Sequence, residues 1–314
     1  MVFKEKIEEL KSIIIDKMLH RIDSDYVLLD LPYHTNIGDT LIWEGEEDFL
    51  SLLPYNCLYR SSFDTFKHKE IPENTIVLMH GGGNFGDLWR PYQDFRLDIV
   101  QRYPHNRIIF FPQTVHYSNE TLAIRDAEIL ARHKQLTICA RDSRSFNFLK
   151  EYFSNEILLV PDMAFCIKAD KLEKFKRNVG KNVLLLRRSD QEAVLDINYG
   201  EYIKDESELK SLDWPSMEKP FSIQVLIYKF LRRIRAFGSI EDWYTQQILR
   251  HFLVKTGVEF LSEYKYIYTT RLHGAILSIL LNKSFFFFDN SYGKNSSFFD
   301  TWLSDLEHCK FIHR

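Results

Sequence analysis

The chain has 314 residues, 45% hydrophobic and 27% charged, with a formal net charge of -3 at pH 7. This is enough apolar material for two packed domains and excludes a disordered chain, and the missing basic excess excludes nucleic acid as a partner. The cysteines (Cys57, Cys139, Cys166 and Cys309) lie far apart with no Cys-x-x-Cys pair, which predicts reduced core side chains in a reducing compartment.

Residues 2–19 carry Ile7, Leu10, Ile14 and Met18 at helical spacing among charges and predict an amphipathic helix, not a secretory signal. Residues 26–31 predict a strand, and residues 40–53 the helix after it. Further strands are expected at 75–79, 107–111, 136–140 and 157–160, with helices at 92–102, 120–133 and 143–152 between them. The polar stretch 168–181 reads as a connection to a second domain, which opens with a strand at 182–186. Residues 189–219 show no clear period and read as loop or insertion. Helices are then expected at 223–237, 241–261 and 272–281, and strands at 266–269 and 284–288. Strands alternating with helices predict an α/β fold with mostly parallel sheets. The simplest architecture is two Rossmann-like domains, 1–167 and 168–314, facing a cleft lined by loops at the carboxyl ends of the strands. No apolar run is long enough to span a membrane, which predicts a soluble chain.

Several strand-to-helix junctions carry chemistry. Gly81-Gly82-Gly83-Asn84-Phe85-Gly86-Asp87 reads as a loop whose backbone can approach an oxyanion, with Asn84 and Asp87 as polar partners. It is not a Walker loop and matches a dinucleotide fingerprint only loosely. Asn36-Ile37-Gly38-Asp39 offers donors and acceptors for sugar hydroxyls, although Asp39 could equally be the N-cap of the next helix. In Thr270-Arg271-Leu272-His273-Gly274, Arg271 suits a phosphate or carboxylate, His273 can donate or move a proton, and the helix dipole adds to anion binding. Arg187 and Arg188 open the run to Glu192 at another strand end and could hold an anionic donor. Pro112-Gln113-Thr114-Val115-His116 and Asp289-Asn290-Ser291-Tyr292-Gly293-Lys294-Asn295 read as polar loops at two more. No spacing suggests a metal centre.

Taken in order, these motifs resemble the polysaccharide pyruvyl transferases: Asn36 to Asp39, Gly81 to Asp87, Pro112 to Thr114, Arg188 to Glu192, Arg271 to Gly274 and Asp289 to Tyr292. The resemblance implies a GT-B-like fold. It implies a cytoplasmic enzyme that moves the enolpyruvyl carbons of phosphoenolpyruvate onto a hexose of galactose type, forming a ketal and releasing phosphate. The acceptor would belong to a cell-surface or lipid-linked polysaccharide precursor. Phosphoenolpyruvate is a co-substrate here, and no cofactor is implied. Carried over, Arg271 and His273 hold the donor's phosphate or carboxylate. Arg188 or Arg187 is a second donor-binding or catalytic arginine, and His116 is a further proton-transfer candidate. Asn36, Gly38, Asp39, Gly82, Gly83, Asn84, Asp87, Gln113, Leu272, Asn290, Tyr292 and Lys294 would contact donor or acceptor. The runner-up is a GT-B glycosyltransferase using a nucleotide sugar, and a third reading is a non-catalytic sugar- or phosphate-binding protein.

Residues 219–237 place Phe221, Val225, Leu226, Tyr228, Phe230, Leu231 and Phe237 beside Lys229, Arg232, Arg233 and Arg235. Such a segment is either an ordinary core helix with solvated basic residues or a peripheral contact with the inner face of the plasma membrane. The former is the expectation.

Overall fold

The computed structural model describes residues 1–67, 69–180, 182–188, 199, 202–203, 209–234 and 238–312. Ser189 to Glu192 of the arginine motif, together with Arg235 and Phe237, lie outside the described residues.

In chain order the elements of the first half are α1 (Phe3–Met18), β1 (Tyr26–Leu29), α2 (Ile37–Leu50), β2 (Cys57–Arg60), β3 (Ile76–Met79), β4 (Gly82–Gly86), α3 (Arg90–Arg102), β5 (Ile108–His116), α4 (Glu120–Ala131), β6 (Leu136–Ala140), α5 (Ser143–Tyr152) and β7 (Glu156–Leu159). The second half adds α6 (Ala169–Glu173), β8 (Val183–Leu186), β9 (Leu209–Leu212), α7 (Ile223–Ile234), α8 (Gly238–Tyr244), α9 (Arg250–Ser262), β10 (Tyr266–Thr269), α10 (Leu272–Leu280), β11 (Phe285–Phe288), α11 (Lys294–Trp302) and β12 (Cys309–Ile312).

By packing, the chain divides into two compact units. One comprises Leu10–Tyr33 and Gly45–Cys166 and holds a seven-stranded sheet in the order β2-β1-β3-β5-β6-β7, with β4 paired to β5. The other comprises Met1–Glu9, His34–Glu44 and Ile167–Arg314 and holds a five-stranded sheet in the order β12-β11-β10-β8-β9. Among the described residues every strand pair is parallel. The central strands are continuous apolar runs because helices cover both faces of such sheets. All four residues of β1, β3 and β8 are buried. Val77, Phe110 and Ile138 pack with Leu97 and Leu149 in the seven-stranded unit, and Val183, Leu185, Tyr268 and Phe288 form the corresponding core of the other.

The α/β class and the parallel sheets follow the sequence reading, and several boundaries correct it. The glycine run is not a loop: Gly82 pairs with Gln113 and Gly86 with His116, so β4 continues the line of β3 along the second half of β5. The stretch read as a Pro-Gln-Thr loop is the remainder of that nine-residue strand. A glycine run serves here because Gly82 and Gly86 adopt φ of 135° and 120°, values that side chains disfavour. Helix α2 begins at Ile37, so Gly38 and Asp39 are helical. The stretch expected as one helix at 241–261 is α8, a π turn at Thr245–Leu249 and α9. Strand β9 lies in the stretch read as loop or insertion. Lys294 and Asn295 begin α11, and β12 completes the sheet. Cys139 and Cys166 are buried and Cys57 and Cys309 half-buried, all four free.

Gly45 in α2 shows how closely the seven-stranded unit is packed, since a methyl group there would stand 1.9 Å from the Met163 carbonyl oxygen. A backbone carbonyl cannot swing aside as a side-chain tip can. Gly45→Ala is expected to cost about 3 kcal/mol of stability, read as a lower urea midpoint.

Candidate functional site

In the five-stranded unit several of the candidate residues lie at the carboxyl ends of the strands. Arg187 and Arg188 follow β8, Asp213 follows β9, Thr270 and Arg271 follow β10, and Asp289 and Asn290 follow β11. Arg271 is buried and forms a two-toothed ion pair with Asp213, Nε to Oδ1 at 2.5 Å and Nη2 to Oδ2 at 2.6 Å. Such a fork fixes the guanidinium plane. The backbone amide of Arg271 donates to Thr269 Oγ1, and Arg271 is itself the N-cap residue of α10. The Arg188 amide donates to Thr270 Oγ1 at 3.1 Å, which seats half-buried Arg188 beside the same strand end, while Arg187 is exposed.

The Asn-x-Gly-Asp motif meets this cluster inside the same unit. Asn36, not Asp39, caps α2: its Oδ1 accepts the Gly38 amide at 2.9 Å and its Nδ2 donates to Asp39 Oδ2 at 2.8 Å. His34 Nε2 lies 3.5 Å from the same Asp39 oxygen. The first turn of α2 then backs onto the first turn of α10, where a methyl group at Gly38 would stand 2.7 Å from His273 Nδ1. Glycine at 38 is thus what lets the His273 ring lie flush against the helix backbone. Two motifs more than 230 positions apart in the sequence are brought together by this contact.

The last motif is built differently from expectation. Asn290 Oδ1 accepts the Lys294 amide, and Asp289 Oδ1 accepts the amides of Asn290 and Ser296, so the stretch shapes the start of α11. Lys294 is buried, with its ammonium 5.5 Å from the centre of the Tyr292 ring. Asn295 Nδ2 donates to the carbonyls of both Thr270 and Phe288, which ties the ends of β10 and β11 together.

The candidates of the seven-stranded unit are held in that unit's own hydrogen bonds. Asp87 accepts the Ser118 and Asn119 amides and the Ser118 hydroxyl; partial burial works against ionisation, yet these donors and nearby His116 hold the carboxyl below its ordinary value. Gln113 is buried and donates to the His80 carbonyl. His116 is half-buried at the end of β5, where its carbonyl accepts the Asp87 amide. Asn84 accepts from Arg96 through both its side chain and its carbonyl.

Arg96 belongs to a buried polar cluster that the sequence reading missed. Its Nη2 lies 2.7 Å from Asp30 Oδ2, with both side chains fully buried. Close by, Glu46 accepts from His80 Nδ1 and from the Gly81 amide, each at 2.8 Å. Asp30 and His80 directly follow β1 and β3, a signal readable in principle; Glu46 and Arg96 are helical charges that a periodicity argument places in solvent. Asp213 was missed because the short strand before it sits in a polar stretch. A cavity of about 400 Å³, lined by Arg21, Arg107, His133 and Glu156, lies at the opposite, amino edge of the seven-stranded sheet. Among the described residues no group of His, Cys, Asp and Glu could hold a metal ion, and no helix is long and apolar enough to cross a membrane.

Comparison with known proteins agrees with the motif order. The chain matches the family described as "Polysaccharide pyruvyl transferase" over residues 36–292, from the first residue of the first motif to Tyr292 of the last. It is 31% identical over 294 residues to the Bacillus subtilis (strain 168) protein named "Putative pyruvyl transferase EpsO", covering 92% of this chain and 88% of that one. It is 28% identical over 293 residues to "Pyruvyl transferase 1" of Schizosaccharomyces pombe, covering 88% of this chain and 69% of that one. Its fold is similar to that of a solved Klebsiella pneumoniae chain described as a functional uncharacterized protein, with a TM-score of 0.63, 21% identity and 98% of each chain covered.

The buried cluster has a pH signature. Burial pushes the Asp30 carboxyl up from its ordinary 3.8 to about 6, against the opposing pull of Arg96. In the window between these values the folded chain holds a proton that the unfolded chain has released, so this contribution to stability falls as pH rises. Relative to Asp30→Asn, the wild type is expected to lose about 2 kcal/mol between roughly pH 4 and pH 7, measured by urea unfolding.

Proposed function

The chain belongs to the polysaccharide pyruvyl transferase family, and from that premise we propose that it transfers the enolpyruvyl carbons of phosphoenolpyruvate to two hydroxyls of a galactose-type hexose. The product is a pyruvate ketal on a cell-surface or lipid-linked polysaccharide precursor, made in the cytoplasm by a GT-B-like pair of Rossmann-like domains. The observation that carries this reading is the contact of Gly38 with His273 beside the Arg271–Asp213 pair.

The donor is a small molecule with a carboxylate and a phosphate. In the proposed reaction one sugar oxygen bonds to C2 of the donor while C3 gains a proton and becomes a methyl group. The second sugar oxygen then bonds to C2, the C2–O bond to phosphate breaks, and phosphate leaves with the charge. Two hydroxyl protons are released; one balances C3 and the other leaves with phosphate or water. His273, in the first turn of α10, is assigned the proton given to C3. Asp39, in the turn that meets it, is assigned the acceptance of a hydroxyl proton. Arg271, oriented by Asp213, and Arg188 beside Thr270 meet the donor's anionic groups, and the amino end of α10 adds its dipole. Asn36 and Asn290, each shaping the start of a helix, are assigned the positioning of the reacting groups. No metal or cofactor is needed for this balance.

Phosphoenolpyruvate is expected to raise the melting temperature, and incubation with a galactoside should release phosphate and yield a pyruvylated product by mass spectrometry. Stabilisation by a nucleotide sugar instead, with no pyruvylated product, overturns the reading. His273→Ala and Arg271→Ala should each lower turnover by about 10²-fold or more with the fold retained by circular dichroism. Gly38→Ala should push the His273 ring aside and lower turnover by about 10²-fold, with donor binding less affected; unchanged turnover in that variant removes His273 from the proton-transfer role.

A further inference from the structure

Helix α7 is inside out. Ile223, Leu226, Ile227, Phe230 and Ile234 are all exposed, Ile223 and Phe230 at 63% each. At 3.6 residues per turn these five fall within about 100° of the helix circumference. Val225 and Tyr228, on the opposite side, are the buried residues of this helix. The helix is tied to α8 by the Tyr244 hydroxyl, which donates to the Gln224 carbonyl at 3.0 Å, and within α7 Arg232 Nη1 donates to the Tyr228 hydroxyl at 2.7 Å. The sequence expectation of a core helix with solvated arginines is therefore corrected: the apolar stripe faces out. Single exposed apolar residues are ordinary, but five in one stripe are not.

The surroundings of the stripe indicate what covers it. Lys229 and Arg233 are exposed and sit along the edge next to Leu226, in a chain whose net charge is -3. Helix α8 and the π turn after it add exposed Ile240, Trp243 and Ile248. An apolar stripe with an exposed tryptophan nearby and a cationic border is the composition of a helix lying in the interface of an anionic bilayer. We propose that the exposed face of α7 docks on an anionic phospholipid surface, the apolar stripe entering the headgroup boundary and Lys229 and Arg233 meeting the lipid phosphates.

Flotation of the full chain with phosphatidylcholine vesicles, alone or mixed with phosphatidylglycerol, tests this. The wild type should float with the anionic vesicles, stay behind with the neutral ones, and be released by high salt. The double variant Lys229→Gln/Arg233→Gln should bind roughly 30-fold more weakly, about fivefold per charge. Leu226→Ser/Phe230→Ser should not float, while its melting temperature stays that of the wild type because both side chains are exposed. Failure of the wild type to float with anionic vesicles, or undiminished binding by both variants, overturns the proposal. So does a dimer in light scattering that Leu226→Ser/Phe230→Ser abolishes without any vesicle binding. Pyruvyl transfer to a water-soluble galactoside, measured on the same preparations, should be equal in all of them, so the surface and the activity stand or fall separately.

Discussion

The pair between Arg271 and Asp213 is the interaction on which the five-stranded unit's strand ends depend. A buried guanidinium needs a partner of opposite charge with matching geometry, and Asp213 at the end of β9 supplies both oxygens of a fork. That pairing spans β9, β8 and β10, because β8 runs between the two partner strands. It fixes the plane of Arg271 at the N-cap of α10, just where the chain turns into that helix. His273 follows two residues later, and its ring finds room only because Gly38 has no side chain. Charge pairing, helix start and ring position form one chain of constraint.

The seven-stranded unit solves a similar problem with different parts. Its strand ends also carry ionisable groups, but there they are consumed internally. Asp30 is matched by Arg96, Arg96 by Asn84, and Glu46 by His80 and the Gly81 amide. The glycines lie directly above this cluster in sequence because β4 must run as a strand beside β5 while turning through backbone angles that side chains resist. A run that looks like an anion-binding loop in one dimension is therefore part of a sheet in three. Its polar neighbours, Asn84 and Asp87, hold the strand and the turn after β5 in place.

Helix α7 reverses the usual logic of an amphipathic helix. Its apolar face is broad enough to anchor a core, yet the unit uses only Val225 and Tyr228 for that purpose. Hydrophobic periodicity says that a helix has two faces; it does not say which one the rest of the chain will cover. Here the burial of Val225 and Tyr228 shows which side is covered, and the Tyr244 hydroxyl of α8 ties the helix at Gln224.

From its residues alone, this chain determined the α/β class, the parallel strands and most of their positions, because buried parallel strands must be short apolar runs and the helices between them must keep a 3.6-residue period. The strand at Tyr266–Thr269 and the helix at Ser143–Tyr152 were legible to the residue. The order of motifs from Asn36 to Tyr292 was equally legible and identified the family, since side-chain identity at a strand end survives without any knowledge of packing. Only the tertiary structure decided that Asp213 holds Arg271, that Gly38 faces His273, that the glycine run is a strand, and that α7 turns its apolar stripe outward. Each of these is a choice of partner between segments distant in sequence, made by the packing of whole elements, and local periodicity carries no record of it.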